Sequence, residues 1–329
     1  MGLEERQKRF VAEFHRRHGS IPSIVEAAAY SPQLRLAPSQ QLLLDFLKKN
    51  NVYGQVIAAL AASSPTEPLA GNPSSLMSQM ISRDFAIAFG ASAQGTAAQR
   101  GGEIGVGLAY GHMTQGGAAV DSITLPLGYS WRFERDPRYV LAVDLPISYN
   151  KSNGATGAAV SLGVSLSIPL GDNWTVTPKI STGATGSLDL ASAGALIGAS
   201  VTSAYRFKAA DFDFVLGNMV GVVKSIPLSF GQYSFDPKLT NGYTKNGVMV
   251  SRPLRLMGVQ SEFFAQAEAQ FWVMDTRFVG SRLYDDSYQE VGLSIGRPLA
   301  AFGRFVRFGV SFLHSHHSNG GMANFGYSF

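Results

Sequence analysis

From about residue 102 to the end of the chain, apolar residues alternate one for one with small or polar ones. Strand period is two, so this alternation assigns every residue to a face. Over 123–133, Ile123, Leu125, Leu127, Tyr129, Trp131 and Phe133 share one face. Thr124, Pro126, Gly128, Ser130 and Arg132 share the other. Over 138–150, Tyr139, Leu141, Val143, Leu145, Ile147 and Tyr149 oppose Arg138, Ala142, Asp144, Ser148 and Asn150. Over 160–168, the aliphatics oppose Ser161, Gly163, Ser165 and Ser167. The pattern predicts twelve strands, at about 102–112, 120–133, 138–150, 156–169, 173–184, 190–207, 211–223, 246–257, 266–282, 287–296, 304–314 and 320–329. A further segment, 84–92, alternates through Phe85, Ile87 and Phe89.

The chemistry of the two faces decides where they point. In a soluble sandwich the apolar face turns inward and a charged face meets water. Here the polar face is mostly Gly, Ser, Ala and Thr, and only 15% of the chain is charged against about 25% in soluble proteins. The apolar face carries no Lys, Arg, Asp or Glu in the clearest strands, as expected of side chains in lipid, where a basic residue at the midplane costs about 2–4 kcal/mol. Tilted strands of roughly ten residues span a bilayer. A sheet in lipid cannot leave an edge open, so it must close. A spanning helix is excluded: the longest apolar run, Val56–Ala62, falls far short of the roughly 20 residues required.

Aromatics support the same reading. Tyr129, Trp131, Phe133, Tyr139, Trp174, Tyr205, Phe207, Phe212 and Phe214 flank the short turns at 134–137, 171–173 and 208–210, and Tyr327 and Phe329 join them if the chain ends there. A ring of aromatics at one end of the strand pairs is an interfacial girdle, for which a sandwich gives no reason. Outer-membrane barrels place short turns in the periplasm and longer loops outside, and 225–246 is the longer stretch. The expected fold is an all-β transmembrane protein, a closed antiparallel up-and-down barrel of about twelve strands, in the bacterial outer membrane.

The first part differs. Only four of the 36 glycines precede residue 81. Residues 1–19 are charged and carry Leu3, Phe10 and Phe14 at helical spacing, a helical stub. Residues 20–80 form a helical segment and a Pro/Ser linker. After Pro38-Ser39, Leu42, Leu43, Phe46 and Leu47 form one apolar stripe, and Val52, Tyr53, Val56 and Ile57 continue it. Residues 81–329 form the barrel. The start, Glu4-Glu5-Arg6, lacks the character of a signal peptide, so a leader removed from the mature protein is expected. An α-helix with its side chains needs about 10–12 Å, and a lumen lined by small residues has room for one. Residues 20–62 are therefore expected to plug the lumen or its mouth.

Inward parity selects Arg132, Arg138, Asp144, Lys179, Arg206, Asp213, Asp275, Arg277, Glu290 and Arg307 as pore-lining charges. Charges in a pore tune passage, dock a plug, or pair with one another. No convergent polar set marks a specific solute site. The chain has no cysteine, which removes disulfide frameworks and thiolate metal sites. His314-Ser315-His316-His317 reads as a solvated external loop. His314 is outward by parity, Ser315 points the other way and Ser203 lies far along the chain, so no serine is evident beside it on the outer face to make a hydrolase. Neither catalysis nor a cofactor nor a metal is expected. A net charge of +4 spread over the chain gives no reason to expect nucleic acid.

The end, Phe325-Gly326-Tyr327-Ser328-Phe329, looks like the C-terminal signature of bacterial outer-membrane proteins. That resemblance implies recognition of Phe329 by the barrel-insertion machinery. A helical segment before a twelve-stranded barrel resembles two groups, the autotransporter translocators and the secretion porin of the functional-amyloid (Fap) system. In the second group a coiled coil and a helical plug precede a barrel that trimerises and exports amyloid subunits. Leu3–Phe10 looks like the tail of such a coiled coil, and Asp136-Pro137-Arg138 resembles a periplasmic turn motif of that family. The resemblance implies an exported polypeptide as substrate, the lipid bilayer as surroundings and a homotrimer as assembly. Asn72-Pro73-Ser74 resembles the N-terminal hatch of hydrophobic-solute channels, a third possibility.

Overall fold

The computed structural model describes residues 101–115, 118–152, 155–187, 192–230, 233–235, 239–257, 267–280, 285–299 and 304–328. The helical stub, the plug with its apolar stripe, the segment 84–92 and the terminal Phe329 lie outside the described residues.

Among the described residues fourteen strands are present: β1 Gly101–Gln115, β2 Ala118–Arg132, β3 Val140–Ser152, β4 Ala155–Pro169, β5 Trp174–Ser187, β6 Ser192–Ala209, β7 Phe212–Ile226, β8 Leu228–Phe230, β9 Tyr233–Phe235, β10 Thr240–Pro253, β11 Glu268–Gly280, β12 Ser287–Leu299, β13 Arg304–Ser315 and β14 Ser318–Ser328. Twelve of them close into one antiparallel barrel, each paired with its neighbours in sequence, and β8–β9 is a separate small hairpin inserted between β7 and β10. Closure is made by β1 against β14, from Gly105↔Ser328 to Gln115↔Ser318. This closed ring gives the backbone of every barrel strand two hydrogen-bonding neighbours, the condition lipid imposes.

Prolines interrupt the ladders locally. Pro126 of β2 stands directly opposite Pro146 of β3, and neither has an N–H to donate. The β1–β2 register skips from Val106↔Leu127 to Ala109↔Thr124 beside Pro126.

Burial alternates along the strands as the sequence requires. On β3, Val143, Leu145, Ile147 and Tyr149 are exposed while Asp144, Ser148 and Asn150 are buried. On β13, Phe308, Val310 and Phe312 are exposed and Ser311 and Leu313 are buried. Exposed aliphatics belong on a wall that meets acyl chains, so the outside of the barrel is its lipid face. The girdle lies at the end that carries the turns 133–139, 170–173 and 210–211. Tyr129, Trp131, Phe133, Tyr139, Trp174, Tyr205 and Phe212 are all exposed there, and Phe207 stacks on Phe214 with ring centroids 5.0 Å apart. With an even number of strands, β1 begins and β14 ends at this same end, the one whose short turns led the sequence to predict a periplasmic side.

Two expectations are corrected. The strand expected at 246–257 is β10, Thr240–Pro253, and residues 254–257 form a 3-10 turn instead. Residues 240–246 hide in the sequence because Asn241, Tyr243 and Lys245 face inward and Thr244 and Asn246 outward, so neither face reads as apolar. The loop-length contrast is also weaker than expected. The girdle end carries the long connection 254–267, while most opposite connections, such as 116–117 and 316–317, are short. Loop length is thus a weaker guide to orientation than the return of both barrel ends to one side.

Replacing Val291, exposed on the outer wall of β12, with arginine is expected to cost about 2–4 kcal/mol near the midplane. Urea unfolding of the protein refolded into phosphatidylcholine vesicles measures it; a neutral Val291→Arg would refute the lipid-facing assignment.

Candidate functional site

The lumen is the candidate site, and its wall has two characters. Strands β2–β5 line it with hydroxyls and small residues: Ser122, Ser148, Ser161, Ser165, Ser167, Thr177, Ser181 and Thr185 are all buried. Strands β6 to β13 turn larger groups inward. Leu196, Val215, Met219, Val223, Tyr243, Met249, Phe278, Tyr288 and Leu313 form one buried cluster, with Trp272, Met274 and Met322 packed against it. The expected wall of Gly, Ser, Ala and Thr thus holds for about half of the circumference.

Among the described residues, two ion pairs cross the interior, each skipping over a strand. Lys179 of β5 donates from Nζ to Asp144 Oδ1 of β3 at 2.6 Å, with side chains only 2% and 5% exposed. Between them lies Gly163 of β4, where a Cβ would stand 2.3 Å from the Lys179 chain and 2.5 Å from the Asp144 carboxylate. Glycine at 163 is therefore what lets the pair meet. The second pair joins Lys245 of β10 to Glu290 of β12 at 3.7 Å. The Trp272 indole N–H donates to the same Glu290 carboxylate at 3.1 Å, and Lys245 lies 5.6 Å from the Tyr288 ring centroid. Trp272 lies flat over Gly292, where a Cβ would meet the indole at 2.2 Å.

The remaining inward charges gather at the periplasmic mouth. Arg132 donates to Pro137 O at 3.3 Å, and Arg307 donates to Ser294 Oγ at 2.9 Å. Asp213 pairs with Lys208 at 3.6 Å. Arg206 occupies an inward position on β6, on the same face as buried Thr202 and Ala204.

Three residues expected in the pore are elsewhere. Asp275 and Arg277 lie on the outer face of β11, paired with each other at 2.9 Å, while Thr276 and Phe278 between and beyond them are buried. Residues 271–274 read Phe-Trp-Val-Met, apolar on both parities, so alternation cannot choose a face. The inner apolar cluster takes Trp272 and Met274 and turns Phe271 and Val273 out. Arg138 belongs to the turn between β2 and β3, not to the lumen. Its Nε and Nη2 donate to the Asp136 carboxylate at 3.0 and 2.9 Å. Its Nη1 reaches Asp172 of the next turn at 3.4 Å. The Asp136-Pro137-Arg138 tripeptide thus clamps two periplasmic turns together. The Arg138 guanidinium and backbone N–H hold the Asp136 carboxyl below its ordinary value.

Lys245, Lys208 and Glu268 escaped the sequence reading. Lys245 lies just before the strand start assumed at 246, and Glu268 sits on the strand whose parity was inverted. Inward parity on the observed strands would have found all three. At the opposite end, Asp285 accepts hydrogen bonds from the His317 backbone N–H at 3.0 Å and from the Ser318 hydroxyl, and lies 3.2 Å from His317 Nδ1. The Ser318 hydroxyl and His317 ring both address the carboxylate, which ties two external turns; His314 stays exposed on the outer wall.

No protein-family profile matches the chain, and no curated protein matches it. Its fold does match solved structures. The translocator domain of the autotransporter NalP from Neisseria meningitidis superposes with a TM-score of 0.57 at 14% identity, over 77% of this chain and 95% of that one. The beta domain of the Bordetella autotransporter BrkA gives 0.53 at 11% identity, over 70% and 99%. An outer-membrane channel from Pseudomonas putida F1 gives 0.49 at 11% identity, over 70% and 96%. The chain has the fold of the NalP and BrkA barrels.

Removing one partner of the buried pair by Lys179→Met strands the Asp144 carboxylate and is expected to destabilise the barrel by about 3–5 kcal/mol. The double variant with Asp144→Asn recovers most of that loss, and Gly163→Leu reproduces it. Equilibrium unfolding of the three variants checks this; equal stability of Lys179→Met and wild type would refute the pairing. For the periplasmic clamp, a carboxyl held below its unfolded value stabilises above that value and releases as pH falls through the folded one. Protection of the amides in 133–139 and 170–173, taken relative to intrinsic exchange at each pH, should therefore fall as pH drops below the ordinary carboxylate range, with Arg138→Ala abolishing that pH dependence.

Proposed function

We propose that this barrel is an outer-membrane secretion pore that exports unfolded, amyloid-type polypeptide, and that residues 20–80 gate it as a helical plug. The observation that carries the proposal is the two-sided lumen. One wall offers hydroxyls and glycines, and the other offers Met, Tyr and aliphatic side chains. A polypeptide presents both characters along its length, and a wall of this kind lets it slide without a fixed polar subsite to hold it. The inner charges fit the same reading: two pairs are internally satisfied, so they offer no strong site for a passing ion or acid.

The amphipathic stripe Leu42, Leu43, Phe46, Leu47, Val52, Tyr53, Val56 and Ile57 supports the gate, because the inner apolar cluster gives such a stripe a surface to bury. The resemblance to the Fap porin supports amyloid subunits as cargo. The likeness of fold to NalP and BrkA favours a close variant, an autotransporter-like translocator whose cargo is joined to the chain itself. A third reading, a hydrophobic-solute channel with an N-terminal hatch, is favoured by Met219, Met249 and Trp272 inside the barrel.

Deleting residues 1–62 is expected to raise single-channel conductance in planar bilayers severalfold. Unchanged conductance would remove the gate. Blockade of the open variant by an added unfolded polypeptide, and not by a detergent-sized apolar solute, separates the secretion pore from the hydrophobic-solute channel.

A further inference from the structure

The apolar belt differs in height around the ring. On β2 the outward residues stay apolar from Phe133 to Ile123 and end at Asp121, twelve residues from Phe133. At a strand tilt of about 40° and roughly 3.4 Å per residue, that run covers about 30 Å of depth. β3 matches it from Tyr139 to Tyr149, ending at Lys151. On the opposite side of the ring, the outward apolar run of β10 is only Val248 and Val250. Arg252 bounds it at the girdle, 4.8 Å from the Phe212 ring centroid and donating to Asp211 at 3.2 Å. Asn246, six residues from Arg252, bounds it above. The same arithmetic gives about 15 Å there.

Beyond Asn246 the outward residues of β10 are Thr244, Gly242 and Thr240, so no apolar side chain returns before the strand ends. On β11, Phe271 and Val273 give way to Asp275 and Arg277, paired at 2.9 Å with the Arg277 side chain 70% exposed. Val279 follows them at the end of the strand. From here the upper edge of the belt climbs. Asn246 and Asp275 share a register row with Gln289 of β12, His314 of β13, Asn319 of β14 and Thr114 of β1. Asn246 lies midway along β10, but Thr114 lies at the far end of β1, because rows across tilted strands rise around the ring. On the other flank, Val220 and Val222 of β7 stand opposite Thr244 and Gly242 and are exposed. The low end of the ramp is therefore a notch in the belt, two strands or about 10 Å wide and open toward the end opposite the girdle.

We propose that lipid headgroups fill this notch: the leaflet opposite the girdle lowers its polar layer against β10 and β11, and the bilayer is thinned beside them. Tilting the whole barrel raises one side against the other but lengthens neither, so lipid must meet the difference. Acyl chains supply neither donors nor acceptors. A headgroup supplies both. Its phosphate oxygens suit the exposed Arg277 guanidinium, and its hydroxyls and water suit the Asn246 amide and the Thr244 hydroxyl. A bilayer ordinarily thins against a wall shorter than its hydrocarbon, and this wall is short on one side only. The inference stands whatever the pore transports.

The chain has no cysteine, so single-cysteine variants of the full-length protein carry one nitroxide each. They are reconstituted at high dilution in dioleoylphosphatidylcholine vesicles, and heat-modifiable gel mobility confirms that each has folded. Accessibility to a water-soluble nickel chelate is read against accessibility to oxygen. Asn246→Cys is six residues from Arg252, whereas the comparison sites Leu125→Cys and Ile147→Cys are eight residues from Phe133 and Tyr139. A belt of even height would leave Asn246 the drier site. The notch predicts the reverse: a nickel-to-oxygen ratio severalfold higher at Asn246→Cys, and at Thr244→Cys as a second reporter, than at Leu125→Cys or Ile147→Cys. Oxygen-dominated accessibility at both β10 sites means that acyl chains cover them and overturns the proposal. Low accessibility to both reagents means that a protein surface covers them and overturns it equally.

Discussion

Every peptide group in this wall must find its partner inside the protein, because the surrounding hydrocarbon offers none. That single requirement dictates the closed ring and the pairing of β1 with β14, and the even strand number makes that pairing antiparallel and returns both ends of the barrel to one side. It also explains why prolines are tolerated only as local skips: at Pro126 and Pro146 the ladder loses donors, but the flanking pairs hold the strands in register. Closure then divides the side chains by parity into lipid-facing and lumen-facing sets, and every other property of the molecule follows from which residue falls in which set.

Inside, closure places non-neighbouring strands within reach of one another. Asp144 and Lys179 are two strands apart, yet they meet because Gly163 has no side chain to separate them. Trp272 lies down on Gly292 for the same reason and delivers its N–H to Glu290. The small residues of the lumen thus do two things at once. They keep part of the wall thin, and they let long charged or aromatic side chains cross it. An ion pair buried in this way adds little net stability over an apolar substitute, but losing one partner is costly, so it fixes the registers of the strands that carry it. The opposite half of the wall is packed with Met, Tyr and aliphatic groups, giving the interior an amphipathic cross-section suited to polypeptide.

The wall was readable where the two faces differ in chemistry. Ile123–Phe133 and Tyr139–Tyr149 declare their faces residue by residue, and the aromatics beside the short turns mark a membrane interface. Reading failed where that contrast vanished. Thr240–Asn246 is polar on both sides, so the start of β10 was lost and Lys245 with it. Phe271–Met274 is apolar on both sides, so β11 was turned inside out, and Asp275 and Arg277 were assigned to the pore. Arg138 was miscounted because alternation carried the strand two residues into a turn, where its guanidinium binds Asp136 and Asp172.

By itself, then, the order of residues determined that this chain would make a closed barrel in an outer membrane, since a greasy parity that carries no charge in the clearest strands leaves them no other solvent. What the tertiary structure alone decided is which charges meet and which face lipid. Alternation carries information about faces only, and contacts across β4, across β11 and around the outer wall depend on register. Register is set by the whole ring closing at once, and no single strand encodes it.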